Sequence, residues 1–398
     1  MVKPDTKLSC RLPPLIFGAA AFNYQFNVDP FTLDSKTVIE RALAHGIRAF
    51  DTSPYYGPSE EILGNAFATD FVTRNYPREH YYLLTKVGRI SADCFDYSPE
   101  WVRHSVERSC KRLRTHYLDV VYCHDVEFVS KEEVLGAVKE LRLIRDEGGT
   151  VRYIGISGYP VSVLCELAEQ ILHETGEPLD AVMSYANFTL QNTKLQSEGL
   201  PRLLAAGVDV VPNASLLSMG LLRSQGPPVG GMGDWHPAPH GLRQAVRAAS
   251  QFTDSHGEKL EVVAIRFALE NWLHEGPKVG VMLNPLASSS IYQSESFPHQ
   301  KFSVSVMGVS NMEELDEIIR VWRSVLDGLG DDLNADIGTL APSGAVSDYD
   351  WSSQRRQRMR TLAKSVRSLL GDWVDFEWPS PPPRFINQPH DQNGKQNG

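Results

Sequence analysis

Eight short, near-continuous apolar runs separated by segments of helical period constrain this chain more than any other feature. The runs cover residues 15–20, 49–53, 81–87, 118–124, 153–157, 181–185, 208–211 and 302–309. Helical patterns fill the intervals, over residues 34–45, from 59, 99–114, 130–147, from 160, to 206, through the pair spanning 241–272, and 312–326. Ser59 reads as the cap of the second of these, ahead of Glu60 and Glu61. A strand with no polar alternation is buried on both faces, which is the condition of parallel strands covered by crossover helices. Eight such units predict an α/β chain folded as a closed (β/α)8 TIM barrel over residues 1–330. The other fold open to such a pattern, a Rossmann-like sheet, needs a GxGxxG turn after a strand, and none follows one here.

Two loop insertions interrupt the repeat, at 216–240 and 277–300, around strands seven and eight. Long loops at that end of a barrel carry function. Residues 222–240 are expected to fold over a bound cofactor as a strap. From 331 to 398 the pattern changes to a linker (331–350), a basic amphipathic helix (352–370) expected to pack across the barrel with its charges in water rather than to bind an acidic surface or membrane, and a disordered tail (381–398).

Net charge is −10, so a basic nucleic-acid stripe is not expected. No run is long and apolar enough for a transmembrane helix, and the first ten residues hold no signal-peptide core. The five cysteines match no zinc or CxxC spacing, which points to reduced thiols in the cytoplasm. His236 and His240 stand four apart, but Pro237 and Pro239 prevent a helix from presenting them together. They read as solvated loop residues, and no metal site is expected.

Candidate chemistry gathers at the ends of the early strands. Asp51 ends the second, in the run Asp51-Thr52-Ser53-Pro54-Tyr55-Tyr56-Gly57-Pro58-Ser59-Glu60, Lys86 ends the third, and His124 ends the fourth. The C-terminal ends of barrel strands are where this fold keeps its catalytic groups. An Asp, a Tyr, a Lys and a His so placed resemble the aldo-keto reductase tetrad, and the resemblance covers residues 12 to 326. Within that superfamily the run looks most like fungal NAD-dependent D-arabinose 1-dehydrogenases, with plant L-galactose dehydrogenases close behind. The resemblance implies oxidation of a D-arabinose-like aldose at C1 to a lactone. A general aldehyde or pyridoxal reductase, and a non-catalytic subunit like the potassium-channel β subunits, are the competing readings. It assigns Tyr56, directly before the Gly, as the acid–base group, with Tyr55 packing beside it. Lys86 is expected to lower the Tyr56 pKa, Asp51 to hold Lys86, and His124 to orient the substrate oxygen.

The resemblance also implies a nicotinamide cofactor along Gly18, Ala19, Ser157, Ser184, Ser215, Leu217, Gly308, Ser310 and Glu314. Departures accompany it. Gly158 stands where many members have Asn, Ser184 where many have Gln, and Ala214 where some stack a tyrosine. No Lys or Arg lies between 306 and 317, so NAD is expected to be preferred over NADP, with Glu314 available to a ribose hydroxyl. A small-molecule aldose or aldehyde is the expected partner, with no nucleic acid or membrane.

Overall fold

A computed structural model describes residues 4–227, 229–231, 233–282, 300–329 and 351–388. Eight parallel strands close on themselves: β1 (Leu15–Gly18), β2 (Ala49–Asp51), β3 (Tyr82–Val87), β4 (Leu118–His124), β5 (Val151–Gly158), β6 (Ala181–Tyr185), β7 (Asn213–Ala214) and β8 (Ser305–Gly308). β1 pairs with both β2 and β8, which completes the circle. The seventh strand differs from expectation. The apolar run 208–211 leads up to β7 and joins the sheet through a single bridge, Val210 to Ala181.

Alternation along the strands sorts the side chains. Ala49, Leu84, Val120, Tyr122, Met183, Val210 and Val306 fill the barrel interior. Phe50, Leu83, Val121, Cys123 and Val182 point outward into the larger core beneath the helices. Among those helices are α1 (Ser35–Ala44), α2 (Ser59–Phe67), α3 (Pro99–Arg112), α4 (Lys131–Gly148), α5 (Val161–Thr175), α6 (Leu200–Ala205), α7 (His240–Ser255), α8 (Leu260–Glu275), α9 (Met312–Asp327) and α10 (Ser353–Leu370). The interior is packed solid. A Cβ on Gly155 would stand 2.7 Å from the Tyr122 ring, so glycine there lets the ring occupy the barrel axis. The N-terminal segment closes the opposite end, with Leu8 and Leu12 in the interior core and Tyr153 donating to the Thr6 carbonyl at 2.7 Å.

Ser59 does not cap α2. Pro58 holds the cap position, and the Ser59 hydroxyl turns inward, 2.8 Å from Thr52 Oγ1 and 3.0 Å from the Ala19 carbonyl. These contacts tie the loop after β2 to the end of β1.

The basic helix α10 also departs from expectation. Its arginines face the barrel. Arg355 grips Glu258 at 2.9–3.0 Å, and Arg360 shares Glu270 with Arg266 of α8 at 2.7 Å, with Glu258, Arg360, Arg266 and Glu270 each less than a tenth exposed. Residues 381–388, expected to be disordered, pack on the rim: Asn387 exchanges hydrogen bonds with the Phe95 backbone, and Phe385 meets Phe128 edge-on at 4.8 Å. The 331–350 linker, most of the 277–300 insertion and residues 389–398 lie outside the described residues. No described helix is long and apolar enough to cross a membrane.

Candidate active site

The strand alternation that fills the interior also builds the site. Asp51 follows Ala49 by two, Lys86 follows Leu84 by two, and His124 follows Tyr122 by two, so all three inherit the inward parity. They stand at the strand ends and remain buried there. Lys86 Nζ donates to Asp51 Oδ1 at 2.8 Å and to the Thr52 carbonyl at 2.9 Å. The ammonium lies 4.8 Å from the Tyr56 ring centroid, and the His124 ring stands perpendicular to that of Tyr56 at 5.7 Å. The four sequence-assigned residues therefore meet, with Tyr56 between the cation and the imidazole.

Electrostatics correct one expectation. Burial pushes the Tyr56 phenol up to about 12, and Lys86 opposes that rise without overcoming it. Tyr56 is thus a phenol in the resting protein. Burial pulls on Lys86 too, but Asp51 and Tyr56 hold its pKa above the ordinary value, so it stays charged. His124 is pulled down to about 3 by burial and is neutral. Its Nδ1 lies 3.0 Å from Ser53 Oγ, and Tyr97 Oη donates to its backbone carbonyl at 2.5 Å. The ring is fixed, with Nε2 as the nitrogen not held by Ser53.

Tyr55 is more than packing. The Arg89 guanidinium carbon lies 3.8 Å from the centre of its ring, and Arg89 donates to its hydroxyl at 3.1 Å and pairs with Asp125, whose Oδ2 is 3.5 Å from His124 Nε2. The next acid, Glu127, occupies the space beside Gly158, where a Cβ would stand 2.6 Å from its Oε2. Burial raises the Glu127 carboxyl to about 8, and its Oε1 accepts from Tyr159 N at 3.2 Å and Ser380 Oγ at 2.8 Å. Asp125 was visible in the sequence as the neighbour of His124. Arg89, Glu127 and Ser380 carried no signal, because only folding brings them to the same rim.

The candidate cofactor residues follow the rim from β5 to β1. Ser157 is buried at the end of β5, and Ser184 accepts from Asn187 Nδ2 at 3.0 Å, an amide that sequence reading missed. Ser215 sits at φ +56, in a loop that also holds Ser218 and Met219 at positive φ, with Leu217 among them. Gly18 pairs with Gly308 across β1 and β8, and Ala19 begins the turn after β1. A Cβ at Gly308 would meet nothing within 4 Å, so β8 opens onto free space beside the N-terminus of α9, where Asn311 caps Glu314 N at 2.9 Å. A helix N-terminus beside an open strand end fits an anionic group such as a dinucleotide phosphate. Glu314 itself is occupied: Oε2 accepts from Ser310 N and Oγ, both at 2.8 Å, and Oε1 accepts from Arg223 at 3.0 Å. The 306–317 stretch lacks a cation, yet the insertion after β7 delivers one.

That insertion is anchored. Trp235 Nε1 and Gly230 N both donate to the Gln25 carbonyl, at 2.9 and 3.2 Å, and Phe26 meets Trp235 edge-on at 5.2 Å. His236 is not solvated. It is buried, with Nε2 2.9 Å from the Ser218 carbonyl and a pKa pulled down to about 4 by burial, whereas His240 opens α7 in solvent.

A buried lysine–carboxylate pair, a phenol and a neutral imidazole at the mouth of a (β/α)8 barrel are groups that can exchange a proton with an alcohol or carbonyl oxygen. Residues 14–328 match the Aldo/keto reductase family, and the chain belongs to it, as a nicotinamide-dependent oxidoreductase. It is 43% identical over 268 residues to D-arabinose 1-dehydrogenase of Saccharomyces cerevisiae (strain ATCC 204508 / S288c), covering 67% of this chain and 78% of that protein. It is 36% identical to L-galactose dehydrogenase of Arabidopsis thaliana, over 60% of this chain and 70% of that one. D-threo-aldose 1-dehydrogenase of a Pseudomonas species is 27% identical, over 68% and 85%.

Proposed function

We propose that this protein oxidises an aldose at C1 to the lactone, with NAD preferred over NADP. The observation that carries the reading is Tyr56 held between charged Lys86 and neutral His124, in a chain similar to three proteins named as D-arabinose, L-galactose and D-threo-aldose dehydrogenases. His124 Nε2 orients the C1 hydroxyl. Tyr56 Oη, as phenolate, takes that proton, and the Lys86 ammonium stabilises the negative oxygen. Asp51 fixes the lysine head at 2.8 Å. A nicotinamide held along the rim would supply the hydride acceptor for C1. In the opposite direction the Tyr56 phenol donates the proton.

Ser157, Ser184, Ser215, Leu217, Gly18, Ala19, Gly308 and Ser310 would hold the cofactor along the rim, and the 222–240 segment would lie over it. NAD is favoured because Arg223, the cation that the insertion brings beside 306–317, is already paired with Glu314, which opposes a second phosphate there. The reduced thiols and the absence of an apolar spanning helix among the described residues suit a cytoplasmic enzyme. Initial rates with D-arabinose, L-galactose, L-fucose and D-xylose, each with NAD and NADP, test the whole reading. Fast reduction of simple aldehydes with negligible sugar oxidation overturns the substrate assignment, and an equal or higher kcat/KM with NADP overturns the cofactor preference. Limited proteolysis tests the strap: cleavage within 222–240 that saturating NAD leaves unchanged removes it.

A further inference from the structure

The wall that adjoins Tyr56 and His124 is built around a buried ion pair that the acid–base chemistry does not use. Arg89, in the loop just past β3, and Asp125, directly after β4, meet beside the imidazole. Three features make this pair unusual for a structural salt bridge. Asp125 sits at φ +54, a left-handed conformation that costs a non-glycine residue energy and brings its carboxylate next to His124 Nε2. Its Oδ1 is buried with no hydrogen-bond partner among the described residues, and an ionised acceptor left so is costly. Arg89 spends one N–H each on Ser91, Asp125 and Tyr55, which leaves two of its five N–H groups unspent at a site where its side chain is 14% exposed. Tyr55, Phe95 and Phe128 surround the guanidinium with ring faces at 3.8, 5.3 and 5.4 Å.

Unspent donors and an unpartnered acceptor, next to each other on an aromatic shelf, suit a ligand whose hydroxyls both donate and accept. An aldose held with its C1 oxygen between Tyr56 and His124 carries a second hydroxyl on C2, about one hydrogen bond from the first. Asp125 Oδ2 stands 3.5 Å from the His124 nitrogen that orients C1. We propose that Asp125 and Arg89 together recognise the sugar hydroxyl adjacent to C1, with the carboxylate accepting from it and the guanidinium donating to it. The pair thereby selects 2-hydroxylated substrates over simple aldehydes and deoxy sugars. This rests on the aldose-oxidation reading above.

The test compares substrates within each variant. For the purified protein with saturating NAD, kcat/KM is measured for the best pentose of the panel and for its 2-deoxy counterpart. A hydrogen bond to a charged group is worth about 1.5–3 kcal/mol, or roughly ten- to hundredfold, so the wild-type ratio should have that size. In Asp125→Asn, where asparagine tolerates the left-handed backbone, the ratio should fall toward one. Arg89→Lys should also lower it, because the fork that reaches both partners is lost. Melting temperature and NAD titration by fluorescence confirm that each variant is folded and loaded. A ratio that stays at the wild-type value, whatever the absolute rates, overturns the proposal, because a residue that merely holds His124 penalises both sugars alike. A wild-type protein that oxidises neither sugar but reduces aldehydes overturns the reading beneath it, and is recognised before any variant is made.

Discussion

At the residue scale, the balance at Tyr56 decides how the site behaves. Sequence reading placed a cation beside a phenol and expected the phenol to become more acidic. The structure adds burial of the phenol, which wins and raises the resting pKa to about 12. Oxidation requires the phenolate, so kcat/KM for the sugar should climb with pH through the neutral range. Lys86→Met removes the group that opposes the rise, so the profile should move to still higher pH as the rate falls. A variant that keeps the wild-type apparent pKa would count against the role of Lys86. Tyr56→Phe should lower kcat by roughly 10²–10⁴-fold, the usual worth of general acid–base help, while fluorescence titration shows NAD affinity retained. If affinity is lost as well, the ring is structural.

At the scale of elements, the helices show where patterning informs and where it misleads. The capping box of α4, Ser130 with Glu133, and the left-handed Gly149 that ends the helix could be read directly from the residues, because those signals are local. For α10 the composition suggested a charged face in water, yet Arg355 and Arg360 find acids in the connection between α7 and α8 and on α8, and Arg358 and Arg367 donate to backbone carbonyls. Arg360 and Arg266 converge on Glu270, which is 3% exposed. Removing that carboxylate leaves two guanidiniums without their shared counter-charge. Glu270→Gln is therefore expected to destabilise the protein by about 3–5 kcal/mol, read as a lower urea midpoint with an unchanged slope. A midpoint within error of the wild type would show that water or Ser324, which accepts from Arg266 at 2.5 Å, already satisfies the pair.

At the scale of the whole molecule, the C-terminal segment joins parts of the rim that are distant in sequence. Trp378 stacks on Tyr159 at 4.8 Å and meets His236 edge-on at 5.4 Å, Glu377 pairs with Lys194, and Asp375 accepts from Thr193 N at 2.7 Å. Its contacts lie on the rim, so Trp378→Ala should make residues 373–388 sensitive to protease while the barrel melts close to the wild-type temperature. Unchanged cleavage there would show that the segment does not depend on this ring. The sequence by itself determined the eightfold βα repeat apart from the place of its seventh strand, the parity that turns Asp51, Lys86 and His124 inward, and the family. These rest on short-range periodicity and on residues adjacent in the chain. Tertiary structure alone decided the Tyr56 protonation state, the Arg223–Glu314 and Arg89–Asp125 pairs, the inward charges of α10 and the docking of the C-terminal segment. Each of these depends on burial and on contacts between residues far apart in sequence, and no local pattern encodes the distance between two strand ends.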